Sequence, residues 1–316
     1  MAEGIAAVVV NHGGWSACVE CLASLEALGG ELENIIVIDN SDDKAPIEHI
    51  KKWAKGELVP WRPANDPMRE LLVPSQTNSR PYRLFWHPKT PPKPAPLTLV
   101  HTQNRGFAAA VNLGIQSALL AGAKYVWVLN DDIIVHRYTL DEMKRVLESQ
   151  REIAMVGSVQ YYQSDPMSVQ SAGGGFNRWL ARFWNIEKED FKDDEVAYIY
   201  GASMLIRADA YENVGPFCED YFMYYEEIDY AQRLGQKGLR HAVARDAKTF
   251  HRHKGSISKK GEAFRTFYLE RGKLLFYKKF YPKLLWIPVL MAIRKFLLTG
   301  DLVYLKALWE GVRWRG

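Results

Sequence analysis

The arrangement of the first forty residues most constrains this chain. Ile5 to Val10 is an unbroken apolar, β-branched run. Ser16 to Leu28 spaces its apolar residues at helical intervals, and Ile35 to Ile38 is a second apolar run closing on Asp39 and Asn40. A strand, a helix and a strand in this order predict parallel strands joined by a right-handed crossover, the repeating unit of α/β folds. The pattern resumes downstream. Leu97 to Val100 predicts a strand, Phe107 to Leu120 a helix, Tyr125 to Leu129 a strand, Leu140 to Glu148 a helix and Ala154 to Val159 a strand.

Between the two stretches lies Gly56 to Leu97, which holds 10 of the 15 prolines. Proline removes a backbone donor and restricts its predecessor, so this stretch is expected to be an insertion or extended loop rather than regular core structure. With 316 residues, 47% of them apolar, the chain can bury a large core and is long for one compact domain. The expected division is a main α/β domain over residues 1–265, with the insertion at 56–97, and a C-terminal helical segment over 266–316.

Charge separates the same two parts. From Lys254 onward there are 14 Lys and Arg against 4 Asp and Glu, so a tail of net +10 follows a body of net −6. Within the tail, Lys283 to Ile293 is far shorter than the roughly 20 apolar residues that cross a bilayer. Its Trp and Leu residues, interleaved with Lys278, Lys279, Lys283, Arg294 and Lys295, suit a helix lying in an anionic membrane surface. An acidic body without a recognised binding motif argues against a nucleic-acid partner. The three cysteines cannot build a disulfide framework, and no secretory signal opens the sequence, so a reducing cytoplasmic setting is expected, peripheral to the inner face of the plasma membrane. Cys18 and Cys21 fall on the apolar face of the first helix with Leu22 and Leu25, so core packing is expected of them rather than metal binding.

The chemistry concentrates in three places. Asn130, Asp131 and Asp132 end the most apolar strand, where open α/β sheets bind ligands. Such a tip suits a hard divalent cation, Mg²⁺ or Mn²⁺, which takes one or two carboxylates and completes its shell with substrate phosphates. Far away in sequence, Glu226, Glu227 and Asp229 open a predicted helix with Ile228, Ala231 and Leu234 on its core face and Gly238 as its stop. Tyr221, Phe222, Tyr224 and Tyr225 lead into these acids. Aromatic walls raise a carboxylate's pKa and exclude water, which suits a general base. Finally, His251 and His253 follow a predicted strand, and either is a candidate metal ligand.

The order VVVNHGG, IIVIDN, NRGFAAAVNLGI, YVWVLNDDI, QSAGG, YGASMLIR, YFMYYEEIDYAQRLGQKG and FHRHKGS resembles the family 2 glycosyltransferases of GT-A fold, and within them the bacterial rhamnosyltransferase-like branch. The likeness runs over roughly residues 5 to 280, with no counterpart for the proline-rich insertion. It implies a Rossmann-like, mostly parallel central sheet flanked by helices. The activity implied is inverting, metal-dependent transfer from a nucleotide-sugar donor to a hydroxyl of a saccharide or lipid-linked acceptor. By this resemblance Asp132 is the ligand to metal and donor diphosphate, with His251 the metal-associated histidine. Asn130 stands where the first acid of the tip is common, with Asp131 between them. Asn11, Asp39 and Asn40 match the strand ends that hold base and ribose. Asn104, Gly106 and Asn112 match the segment along the nucleotide, and Gly201, Ala202 and Ser203, with the insertion, are expected to border the sugar. Glu227 falls at the catalytic base, usually an Asp, with Glu226 and Asp229 as alternatives. A deoxythymidine diphosphate rhamnose donor fits the branch, and uridine diphosphate galactofuranose or another hexose remains open. Two other classes stay open as well: a metal-dependent phosphohydrolase using the acidic tip, and a non-catalytic nucleotide-sugar-binding protein.

Overall fold

A computed structural model describes residues 4–72, 79–252 and 257–314, with side chains described except at 257–260. The elements in order are β1 (Ile5–Asn11), α1 (Trp15–Glu26), β2 (Asn34–Asp39), α2 (Ala45–Ala54), β3 (Tyr82–Trp86), β4 (Leu97–His101), α3 (Phe107–Leu120), β5 (Tyr125–Asn130), β6 (Ile133–Val135) and α4 (Thr139–Ser149). They continue as β7 (Ile153–Tyr162), β8 (Asp165–Ser171), β9 (Gly174–Asn177), β10 (Arg182–Asn185), β11 (Ser203–Arg207), α5 (Ala208–Val214), α6 (Glu226–Gln236), β12 (Arg240–His251), α7 (Ile257–Phe280), α8 (Trp286–Thr299) and α9 (Val303–Arg313).

The main sheet runs β3-β4-β2-β1-β5-β11-β7-β12-β6, with β8 added beside β7. From β3 to β5 every pairing is parallel, and β11 enters antiparallel between β5 and β7. Within the parallel half, β1, β2 and β4 are largely buried on both faces, which is why their sequences read as apolar runs rather than alternating ones. One face carries Ala7, Val9, Val37 and Leu99 into a core with α1, α2 and α4. The other carries Ala6, Val8, Ile36 and Ile38 against α3. The fold is thus the mixed α/β sandwich of helices and central sheet that the sequence predicts. Cys18 and Cys21 are fully buried in the first core, as expected of packing residues, and burial pushes both thiols well above the usual range.

One expectation is corrected. The proline-rich stretch is not without regular structure: Tyr82–Trp86 forms β3, the outermost strand of the parallel half, in register with β4 from Tyr82 and Leu97 to Trp86 and His101. No proline falls inside those five residues, and an edge strand has a donor side that needs no partner, so flanking prolines are tolerated. Met68 and Leu72 from the same stretch are buried.

At the C-terminal end, Leu275, Phe276 and Tyr277 of α7 share a core with Tyr221, Tyr225 and Ile228. α7 therefore packs directly on the segment that carries the acids of α6. Gly261, at φ +81, kinks α7 near its start. Outward from α7, α8 and α9 leave Trp286, Leu290, Leu297, Leu298, Leu302 and Trp309 exposed. No helix among the described residues is long and apolar enough to cross a membrane.

Candidate active site

The carboxyl ends of β1, β2, β4 and β5 converge on one rim, as parallel strands must. On it, Asp39 is fully buried and both of its oxygens are occupied. Oδ1 accepts from Asn11 Nδ2 at 2.7 Å and from the Ser41 hydroxyl at 2.5 Å, while Oδ2 lies 2.7 Å from His101 Nδ1. Asp39 is therefore the hub that fixes the loops after β1 and β2. The Ser41 hydroxyl also accepts from the Gly13 backbone at 2.8 Å. Asn40 is buried, its Oδ1 without a partner among the described residues and its Nδ2 3.5 Å from the Gly106 carbonyl. Asn104 Oδ1 accepts from the Gly106 N–H at 3.1 Å.

Gly106 starts α3 with φ +96, and a Cβ there would lie 2.3 Å from the Phe222 carbonyl oxygen. The Phe107 N–H donates to the same carbonyl at 2.7 Å. Glycine at this position lets the nucleotide-side loop close against the segment that leads to the acids of α6. Asn112 departs from its expected role. Its Nδ2 donates to the Phe217 carbonyl and to Glu219, and its Oδ1 accepts from the Phe217 N–H and the Tyr211 hydroxyl. With its amide fully engaged inside the protein, Asn112 braces α3 against the 217–219 loop and has nothing left for a ligand.

β5 ends at Asn130, whose N–H donates to the Ala202 carbonyl at 3.0 Å. Asp131 turns back toward β1 and lies 3.3 Å from the His12 N–H. A Cβ on Gly14 would come within 2.9 Å of its Oδ2, so the His-Gly-Gly loop needs a glycine there. Burial, and then the charge of Asp132, pushes the Asp131 carboxyl well up.

Asp132 meets His251, the last residue of β12, with Oδ1 3.2 Å from Nε2. Gln170 Oε1 lies 2.6 Å from His251 Nδ1, so Nδ1 carries the proton that Gln170 accepts. That leaves the Nε2 lone pair facing the Asp132 carboxylate. Two lone-pair atoms at this distance repel unless a cation or a second proton lies between them, and ligands in adjacent positions on one cation, at bonds of about 2.1 Å, sit about 3 Å apart. The pair therefore fits a divalent metal. No group of three or more His, Cys, Asp or Glu placed to hold one metal ion occurs among the described residues, so the remaining positions would fall to phosphate oxygens and water. His253 lies outside the described residues.

The three acids of α6 divide. Asp229 is fully buried and bonded to Arg233 Nε and Lys279 Nζ, each at 2.6 Å, and to the Tyr221 hydroxyl at 3.1 Å. It ties α6 to α7 and is not available as a base. Glu226 is 6% exposed, and burial, then the neighbouring Glu227 charge, pushes its carboxyl well up. Glu227 is only half-buried, one of its oxygens has no partner among the described residues, and burial lifts its pKa to about 7. It faces the strand-end loop before β11: a Cβ on Gly201 would lie 3.8 Å from its carboxyl carbon.

Tyr200, which sequence reasoning passed over, joins the two halves. Its ring centroid is 6.4 Å from that of His251. Its hydroxyl pKa is raised by burial, by the charge of Glu227 and, more weakly, by that of Asp132, and lowered by Arg265. Burial pushes the Tyr224 hydroxyl up to about 12 against the opposing charge of Arg265 of α7, so a guanidinium lies near both tyrosines. The only sequence signal for Tyr200 was its place beside Gly201, and for Arg265 there was none.

Residues 93–215 match the model of glycosyl transferase family 2. Over this stretch the chain is similar to family 2 glycosyltransferases. An N-acetylglucosaminyl-diphospho-decaprenol L-rhamnosyltransferase of Mycobacterium tuberculosis is 32% identical over 171 residues, 47% of this chain and 56% of that protein. The low-salt glycan biosynthesis hexosyltransferase Agl10 of Haloferax volcanii is 22% identical over 138 residues, 43% of this chain and 45% of that protein. The matches span about half the length of these relatives. Among solved structures, the mannosyltransferase PcManGT of Pyrobaculum calidifontis, in complex with GDP-Man and Mn²⁺, superposes with a TM-score of 0.54 at 15% identity, covering 99% of this chain and 74% of that one. TarS residues 1–349 of S. aureus superpose with a TM-score of 0.52 at 12% identity, covering 99% and 80%. Both likenesses concern the fold, which is that of GT-A glycosyltransferases. The stretch matched by the family model contains the acid tip and the Tyr200–Gly201 loop, while Glu227 and His251 lie beyond it.

Proposed function

We propose that this protein is an inverting, metal-dependent glycosyltransferase. It takes a hexosyl group, rhamnose in the first instance, from a nucleoside diphosphate and passes it to a hydroxyl of a saccharide or lipid-linked saccharide in cell-surface polysaccharide synthesis. The observation that carries the reading is the Tyr200–Gly201 bridge, with the Asp132–His251 pair on one side and Glu227, one of whose carboxylate oxygens has no partner among the described residues, on the other. The similarity to a mycobacterial rhamnosyltransferase named for a diphospho-decaprenol acceptor supports the donor and acceptor classes.

In this reading Asp132 and His251 would hold Mn²⁺ or Mg²⁺, which when bound would supply positive charge to the diphosphate leaving group. Arg265, whose charge acts on the Tyr200 hydroxyl, adds a second cation at the bridge. Glu227 accepts the proton of the acceptor hydroxyl as its oxygen forms a bond to the anomeric carbon, and the bond from that carbon to the diphosphate oxygen breaks. Because one in-line displacement accounts for both bonds, the anomeric configuration inverts. A pKa near 7 suits a base that must be unprotonated yet still accept a proton at neutral pH. The decisive test is donor hydrolysis and thermal shift over a set of dTDP- and UDP-sugars with Mn²⁺, Mg²⁺ or chelator. A response to one donor that chelator removes is expected; no response to any donor overturns the reading.

The tail points to where the acceptor is met. The exposed apolar side chains of α8 and α9 lie in a segment of net +10, and Trp179 and Leu180, at the tip of the β9–β10 hairpin, are also exposed. That hairpin is braced on α7, since Phe176 and Phe183 pack on Phe276 and Tyr277 donates to the Arg178 carbonyl. This combination suits the anionic cytoplasmic face of a membrane. Sedimentation with phosphatidylglycerol vesicles at low salt, lost in a Leu297→Asp, Leu298→Asp variant, is the expected result. A wild-type protein that stays in the supernatant overturns it.

A further inference from the structure

The edge strand β3 extends a row of side chains that starts at the centre of the site. In the sheet register Asn11 lies opposite Asp39, Asp39 opposite His101, and His101 opposite Trp86. Residues opposite one another in register share a face of the sheet. The row is also connected: Asn11 to Asp39 and Asp39 to His101 at 2.7 Å each, and Trp86 edge-on to His101 with ring centroids 5.0 Å apart. Asn11, Asp39 and His101 are buried, whereas Trp86 is 40% exposed, with Lys44 Nζ 5.1 Å from its ring. Immediately after it, His87 is exposed and adopts φ +44, a conformation that is costly for a residue with a Cβ. Its N–H bonds the His101 carbonyl at 2.8 Å and its ring lies 5.2 Å from that of His101. Strain held in place by surrounding bonds is a mark of functional sites.

Asp39 is fully buried and both of its oxygens already accept hydrogen bonds, so recognition at this end of the sheet draws also on what is exposed around it. We propose that Trp86 and His87, supplied by the proline-rich insertion, form the outer wall of the nucleoside pocket, with the Trp86 indole as the stacking surface for the nucleobase of the donor. The inference rests on the nucleotide-sugar reading of the same site. An aromatic face stacks any base, and the loss of such a stack costs about tenfold or more in affinity. Lys44 adds charge beside the base, and the row through His101 and Asp39 to Asn11 joins this wall to the loop that cradles Asp131.

The test is binding of UDP, dTDP and GDP, and separately of inorganic pyrophosphate, each with Mn²⁺, to the full chain. Trp86→Ala is expected to weaken the preferred nucleoside diphosphate about tenfold or more and to leave pyrophosphate unchanged, with Trp86→Phe restoring most of the loss. His87→Gly, which relieves the positive φ, is expected to raise the melting temperature while weakening the nucleotide. If wild type binds a nucleoside diphosphate and Trp86→Ala binds it equally well, or loses pyrophosphate in parallel, the inference is overturned while the transferase reading stands. If wild type binds none of the three, the transferase reading fails and the wall fails with it.

Discussion

Replacing Glu227 with Gln separates the proposed base from its surroundings, because the amide keeps the shape and removes the titration. Burial lifts this carboxyl from 4.5 to about 7 in the folded protein. Between those values the folded state keeps a proton that the unfolded chain has lost, so stability falls as pH rises from 4.5 to about 7 and is level above. The gap corresponds to about 3 kcal/mol by the usual conversion of pKa to free energy, an upper bound for a half-buried group. Glu227→Gln carries no such penalty. It is expected to match wild type in chemical denaturation at pH 5 and to exceed it by as much as about 3 kcal/mol at pH 8. Transfer should fall by about 10²–10⁴, the usual worth of a positioned general base, with donor binding retained. In the wild type, kcat/KM should rise with pH through an inflection near 7. The assay is nucleoside diphosphate release with the acceptor present, beside denaturation curves at the two pH values. A variant that transfers at the wild-type rate, or a stability difference that does not grow between pH 5 and 8, refutes the reasoning.

Asp132→Ala should abolish Mn²⁺-dependent nucleotide binding, and Gln170→Leu, which removes the acceptor that orients His251, should lower Mn²⁺ affinity about ten- to a hundredfold in titrations followed by paramagnetic relaxation. Gly106→Ala places a Cβ 2.3 Å from the Phe222 carbonyl on a backbone of φ +96, so a loss of at least about 2 kcal/mol is expected in denaturant unfolding; an unchanged midpoint would show that this closure is soft. Asp229→Ala leaves Arg233 and Lys279 without their shared buried partner and should cost about 3 kcal/mol of stability. Its folded fraction should retain the pH inflection near 7, which distinguishes a brace from a base.

What the sequence made legible follows from how local each signal is. β1, β2, β4 and β5 are apolar runs, and α3 occupies Phe107–Leu120 as its periodicity predicts. The acid tip announced itself because Asp131 and Asp132 interrupt such a run. β3 stayed hidden because the prolines around it dominate the local pattern, although Tyr82, Leu84 and Trp86 alternate as a strand should. Asp229 looked like one acid among three in a first turn. Its spacing from Arg233 is local and readable, but Lys279 lies fifty residues away and only the packing of α7 brings it in. The role of Asn112 was likewise invisible, since all four of its bonds reach residues about a hundred positions distant.

The segment before α6 shows where the fold concentrates strain. Phe222, Tyr224 and Tyr225 all have positive φ, between 60° and 74°, and none is glycine. For bulky residues such backbone costs on the order of 1–3 kcal/mol each and persists only where neighbours over-determine it. The neighbours are specific: Phe222 stacks on Tyr268 at 4.8 Å, its carbonyl is held by Phe107, and Gly272 lies so close to Tyr225 that a Cβ there would come within 2.7 Å of the ring. Two of these three contacts come from α7, the helix that joins the site to the apolar, basic tail. The loop that aims Glu227 is therefore stabilised by the element that leads to the proposed membrane face, and movement of α8 and α9 on a lipid surface would reach the base through α7 and Tyr225. In this architecture α7 shapes the loop that carries Glu227.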